Sequence, residues 1–185
     1  MKLKILFILL LVLCNFPEAR IDKLRFSGNS GLAPENTLLS ARSFSGGGAL
    51  HLSYPVSPAT GVINTELSII NDYRFFKNSD DRMHLIRFGF GIRVFLNTLK
   101  TIRPYFTHDI TSQLIIADSY ENYASAFGVL LGLGVDIPVN RLDVNAESSS
   151  VFVDISYNKT NVAYFQFADF TMKFMAVSFG YSWKL

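Results

Sequence analysis

Residues 174–185 read FMAVSFGYSWKL and end the chain. Large apolar side chains alternate there with small or polar ones, starting from Met175 and finishing at Leu185. Alternation with a period of two is the pattern of a β-strand whose two faces meet different surroundings. A tilted strand of about 9–11 residues crosses the apolar part of a bilayer. The stretch therefore predicts a membrane-spanning β-strand.

Six more segments repeat this alternation. The clearest runs from Leu85 to Phe95, where apolar residues such as Ile86 and Phe88 share one face, and Arg87 and Arg93 share the other. The other five are Gly46–Tyr54, Ile63–Phe75, Arg103–Gln113, Phe127–Ile137 and Val151–Tyr157. Because an even number of strands is usual in single-chain bacterial barrels, we place an eighth strand near Lys23–Asn29.

The polarity of the two faces decides between a soluble and a membrane protein. In a soluble sheet the large apolar face points inward, whereas in a small membrane barrel it faces lipid, and glycine with charged residues fills the interior. The pattern predicts an all-β fold, an eight-stranded antiparallel up-and-down transmembrane β-barrel. A soluble, lipocalin-like barrel is the alternative fold.

Two kinds of connector are predicted between these strands. Turn residues indicate short periplasmic turns at Pro55–Gly61, Asn97–Thr101 and Val139–Asp143. More polar or longer stretches indicate outside loops at Lys77–Met83, Ala117–Tyr123 and Asn158–Ala168. Both chain termini then fall on the periplasmic side.

Composition agrees with export to a membrane. The 185 residues are 49% hydrophobic and 17% charged, against about a quarter charged in soluble domains. The net charge is +2, and the basic residues are scattered, so we expect no nucleic-acid partner.

The N-terminus has the organisation of a signal peptide. Lys2 and Lys4 precede the apolar run Ile5–Leu13, which is too short to span a bilayer as a helix. We assign residues 1–19 to the signal and 20–185 to an outer-membrane β-barrel domain. Lipidation at Cys14, the single cysteine, is the alternative. If Cys14 leaves with the signal, disulfides and cysteine-based sites are excluded.

The chain resembles the outer-membrane β-barrel superfamily that includes OmpA-like and OmpX-like small barrels. The resemblance is carried most specifically by Ser178, Gly180, Trp183 and Leu185, which match the β-signal spacing of that class. Leu185 stands where the class usually has an aromatic residue. The resemblance implies residence in outer-membrane lipid, after delivery by periplasmic chaperones and the barrel-assembly machinery.

Six ionisable residues have the parity of the interior. They are Glu66, Arg87, Arg93, Asp109, Asp136 and Asp154. An unpaired charge in a narrow, low-dielectric lumen is costly, so these groups are expected to form ion pairs. The hypothesis that follows is a filled lumen and a structural or surface-interaction role, in which aromatic loops could meet an extracellular partner. A narrow pore is the alternative.

One constellation suggests an enzyme. His51, Ser53 and, on the next strand, Glu66 resemble the residue order of outer-membrane lipid A deacylases, although Tyr54 replaces the asparagine usual in that family. The resemblance implies a serine nucleophile oriented by histidine. The parity of all three residues points into the lumen rather than toward lipid. No spacing indicates a metal site or a cofactor.

Overall fold

A computed structural model describes residues 21–33, 43–56, 62–77, 82–97, 102–117, 123–139, 149–162 and 170–185. It contains eight strands: β1 (Lys23–Ala33), β2 (Ser43–Pro55), β3 (Ile63–Lys77), β4 (Arg82–Leu96), β5 (Arg103–Ala117), β6 (Tyr123–Pro138), β7 (Ser149–Val162) and β8 (Phe170–Lys184). Each strand pairs antiparallel with the next, and β8 pairs with β1. The eight-stranded antiparallel up-and-down barrel is confirmed, including the strand placed near Lys23–Asn29.

The barrel has two ends, which we name by the chain. The terminal end is where β1 begins and β8 ends, and the distal end is the opposite one. Most strands extend further at the distal end than predicted, as in β5, which continues to Ala117, and β7, which continues to Val162. In β5 the added residues Leu114–Ala117 are apolar on both faces, and in β7 the outward residue Lys159 is charged. The alternation is lost there while the backbone pairing continues, so it underestimates strand length.

This extension overturns the predicted asymmetry of the connectors. The loop assigned to Ala117–Tyr123 agrees to within one residue at each end with the segment 118–122, whereas the loop assigned to Asn158–Ala168 begins inside β7 and leaves 163–169 between strands. The turn assigned to Val139–Asp143 belongs to the longest segment between strands, residues 139–148, at the terminal end. The prediction that the distal connectors are longer than the terminal ones is therefore wrong for this chain.

The two faces of the sheet have the inverted polarity expected from the sequence. Leu133 and Phe127 on the outward face are 69% and 64% exposed, whereas Arg87 on the inward face is 3% exposed. Large apolar side chains cover the outside of all eight strands, and most buried side chains in the lumen are polar or charged. No helix in the described ranges is long and apolar enough to cross a bilayer.

Candidate functional site: the barrel lumen

An apolar layer, which we call the distal layer, lies in the distal end of the lumen. Its side chains are almost fully buried, and the rings of Phe76 and Phe174 pack edge to face with centroids 5.1 Å apart. The layer consists of Ala33, Phe76, Met83, Leu85, Ile115, Ala117, Ala126, Met172, Phe174 and Ala176. The sequence analysis did not predict the distal layer, although Leu85 lies two residues before Arg87 and therefore shares its inward parity.

A second layer, the terminal layer, lies in the terminal end and is built from Phe95, Tyr105 and Phe152 around Arg25. The Arg25 guanidinium carbon lies 4.9 Å from the ring centroid of Phe152, 5.4 Å from that of Phe95 and 5.6 Å from that of Tyr105. Arg25 is fully buried, and its guanidinium forms no hydrogen bond to the described residues. Cation–π attraction to three rings offsets part of the cost of burying this charge.

Carboxylates anchor the cations of the terminal layer. Asp136 lies 2.5 Å from Arg103 and 3.5 Å from Arg25, and its other contact is a hydrogen bond of 2.6 Å donated by Ser150. Glu66 accepts a hydrogen bond from Lys23. Arg25 is in β1 and Asp136 in β6, so this ion pair crosses the lumen rather than joining neighbouring strands. The terminal end is thereby tied together across its diameter.

Asp72 organises a second charge cluster nearer the distal layer. Its carboxylate pairs with Arg87 and, at 3.1 Å, with Arg74. Asn29 donates a hydrogen bond of 3.2 Å to the same carboxylate, and Arg87 also donates to Asn158. All these groups are buried. One carboxylate therefore compensates two guanidinium groups inside the barrel.

A small cavity lies between the two layers, and we call it the central chamber. Its volume is about 20 Å³, and its lining includes Arg93, Asp109 and Asp154. Nη2 of Arg93 lies 3.2 Å from Nδ1 of His51, whereas its Nε and Nη1 have no hydrogen-bond partner among the described residues. Asp109 accepts a hydrogen bond of 3.0 Å from Thr107, and Asp154 accepts one of 3.0 Å from the Tyr105 hydroxyl.

The six ionisable residues singled out by the sequence all lie in the lumen, but within the described ranges only Glu66, Arg87 and Asp136 form ion pairs, so the expectation of ion pairs is not met there for Arg93, Asp109 and Asp154. Within the described ranges no two of the six form an ion pair with each other. The partners that sequence reasoning missed are Lys23, Arg25, Asp72 and Arg103, and it also missed Arg74, which pairs with Asp72. Each has the inward parity of its strand, so the same alternation that located Arg87 could have located them.

The three residues that suggested an enzyme face the lumen, as their parity predicts, and each has a different partner. The Ser53 hydroxyl lies 3.0 Å from that of Ser68, His51 contacts Arg93, and Glu66 contacts Lys23. The described side chains therefore do not form the serine–histidine–carboxylate chain that nucleophilic catalysis needs. Within the same ranges, no group of three His, Cys, Asp or Glu side chains is arranged to hold a metal ion.

Comparison with known proteins was made by sequence and by structure. No family model and no curated protein matches the chain. Neisserial surface protein A is 14% identical, with a TM-score of 0.64 over 88% of this chain and 97% of that one. The chain has the fold of the small outer-membrane β-barrels. OprG of Pseudomonas aeruginosa (90% and 97% coverage) and Ail of Yersinia pestis (89% and 100%) are each 12% identical, with TM-scores of 0.49.

In this barrel fold the terminal strand closes the sheet. Ser178 and Gly180 face the lumen, and the Trp183 ring packs on the outside against Phe26, with centroids 5.8 Å apart. The Leu185 amide donates a hydrogen bond of 2.8 Å to the carbonyl of Asp22, just before β1. The residues that resemble an assembly signal are therefore part of the β1–β8 seam.

Several predictions fall on residues outside the described ranges. They concern the signal segment 1–19 with Cys14, and the aromatic stretches at 118–122 and 164–167 that could contact a partner. Those assignments remain predictions.

Proposed function

We propose that the chain is a bacterial outer-membrane protein whose lumen is filled, and that its role is structural or one of surface interaction. The observation that carries the proposal is the inverted polarity. Outward side chains such as Leu133, Phe179 and Phe127 are large, apolar and more than half exposed. Soluble monomers rarely expose a contiguous apolar patch above a few hundred Å². A lipocalin-like barrel would instead carry its charges outside.

The dimensions of the apolar band support the same proposal. Trp183 and Lys173 lie ten residues apart on β8, which is about 33 Å along a strand. At the usual tilt of about 40°, this is about 25 Å along the barrel axis, the height of the apolar band in outer-membrane barrels. Tyr181 and Trp183 would form part of the aromatic girdle at the terminal end.

A filled lumen is supported by the two layers. The distal layer and the terminal layer lie on either side of the central chamber, whose volume of about 20 Å³ suits about one water molecule. Eight strands leave an interior that side chains can just fill. We propose no reaction for the chain, because the nucleophile candidate Ser53 is buried in the lumen, away from any lipid acyl group.

We expect the protein to fractionate with the outer membrane and to be heat-modifiable. Folded barrels resist unfolding by cold detergent, because every backbone group is paired within the closed sheet. Unboiled and boiled samples should then differ in mobility on a gel. A soluble protein with no mobility shift would contradict the proposal.

A narrow pore remains the second candidate, because charged side chains of both signs line the central chamber. We expect the wild type to show no discrete conductance in planar bilayers, since the two layers occupy both ends of the lumen. Conductance steps that change in Arg93→Ala would instead support the pore.

Acyl release from lipid A that is lost in Ser53→Ala would support the third alternative, an enzyme that resembles the lipid A deacylases.

A further inference from the structure

The outward face of the described strands carries four charged side chains, and all are cations near the distal end. They are Lys77, Arg82, Lys159 and Lys173. The register places Lys77 directly opposite Arg82, and Lys159 directly opposite Lys173. Like charges directly opposite one another destabilise a sheet. Two such pairs on a mostly apolar surface indicate that an anion neutralises at least one of them.

The chain supplies acidic residues unequally to the two pairs. Asp80 and Asp81 both lie between Lys77 and Arg82, whereas the thirteen residues between Lys159 and Lys173 include a single acidic residue. Among the side chains that the structure describes, neither lysine has a carboxylate within ion-pair distance. The Lys159–Lys173 pair is therefore the one whose charge is the less compensated.

The surface just below this pair is apolar. Tyr157 and Met175 lie on the terminal side of the two lysines, two residues from Lys159 and Lys173 respectively. They are directly opposite each other in the register. Leu131 extends this row on β6 and Leu32 extends it on β1, and all four side chains are exposed. Lysine at the edge of an apolar surface keeps its ammonium group in the polar layer. The lysine pair thus marks the boundary between acyl chains and headgroups.

We infer that Lys159 and Lys173 bind a phosphate group of an anionic lipid in the outer leaflet. This inference rests on the proposed function, together with the prediction that both chain termini are periplasmic, which puts the distal end on the outside. The Cβ atoms of a directly opposite pair lie about 5 Å apart, so two flexible ammonium groups can donate to oxygens of one phosphate. The acyl chains of the same lipid lie along the row from Leu131 to Leu32. Tyr157, which is part of this row, is the next outward residue to Lys159 on β7 and so lies at the boundary between the phosphate and the acyl chains.

The test measures retention of diphosphorylated lipid A by immobilised, detergent-folded protein. We expect the Lys159→Gln/Lys173→Gln variant to bind about 30-fold more weakly, from about fivefold for each cation at an anionic surface. Lys184→Gln is the matched control, because it removes a cation from the opposite end of β8 and should leave binding unchanged. Lipid A stripped of its phosphates should bind the wild type and the double variant equally, and excess inorganic phosphate should not displace the lipid from the wild type.

Three results overturn this inference: equal retention by the wild type and the double variant, an equal loss in Lys184→Gln, or displacement by inorganic phosphate, which indicates a site for free anions. Heat-modifiability and membrane fractionation of every variant separate the two proposals. A protein absent from the membrane fraction contradicts the proposed function. An inserted double variant that still prefers phosphorylated lipid contradicts only the lysine site.

Discussion

Asp72→Ala will destabilise the barrel by about 3–5 kcal/mol, the usual cost of removing one partner from a buried ion pair. The carboxylate compensates Arg74 and Arg87, and all three side chains are almost fully buried. Without it, two guanidinium groups remain in the lumen with no second carboxylate in ion-pair contact among the described residues. The measurement is the free energy of unfolding in urea, in which the loss of the heat-modifiable band on a gel reports the unfolded fraction.

A compensating variant distinguishes lost charge balance from lost packing. Replacing a whole buried ion cluster by apolar side chains of similar volume is often neutral or stabilising. We therefore expect Asp72→Leu/Arg74→Met/Arg87→Met to recover most of the stability that Asp72→Ala loses. If the triple variant is as unstable as the single one, the role assigned to the Asp72 cluster is wrong.

Gly180→Val will impair closure of the barrel. Gly180 lies opposite Ser27 of β1 and Phe152 of β7, and its inward side is occupied by the Phe152 ring. A Cβ there would lie 2.6 Å from Cζ of that ring and would also meet the carbonyl oxygen of Phe26. Overpacking typically costs about 1–3 kcal/mol, and contact with backbone in the seam places this change at the upper end. The fraction of protein that becomes heat-modifiable after refolding measures the effect.

Gly28 is the matched control in the same seam. It lies opposite Phe179 of β8, it faces outward, and a Cβ there meets nothing within 4 Å. Gly28→Val should therefore refold like the wild type. Equal loss in Gly28→Val and Gly180→Val would show that any β-branched residue in this seam is harmful, and that the Phe152 contact is not the cause.

Alternation predicted seven of the eight strands because strand sidedness is a local property, and the even strand count usual in such barrels supplied the eighth. Whether Ile86 and Arg87 point to opposite faces depends only on their being neighbours in an extended chain. The alternation did not predict how far strands continue at the distal end. Backbone pairing there depends on the neighbouring strand, and outward residues such as Lys159 and Lys173 no longer show the apolar pattern.

The sequence by itself determined that this chain forms a barrel with charges inside and apolar side chains outside. Only the tertiary structure decided which charges meet. Arg25 reaches Asp136, and Arg87 reaches Asn158, across the lumen from strands that are not neighbours. Such contacts depend on the tilt and stagger of the closed sheet, which no single strand encodes. The same closure places the C-terminal strand with which the chain ends against β1, where Gly180 makes room for Phe152.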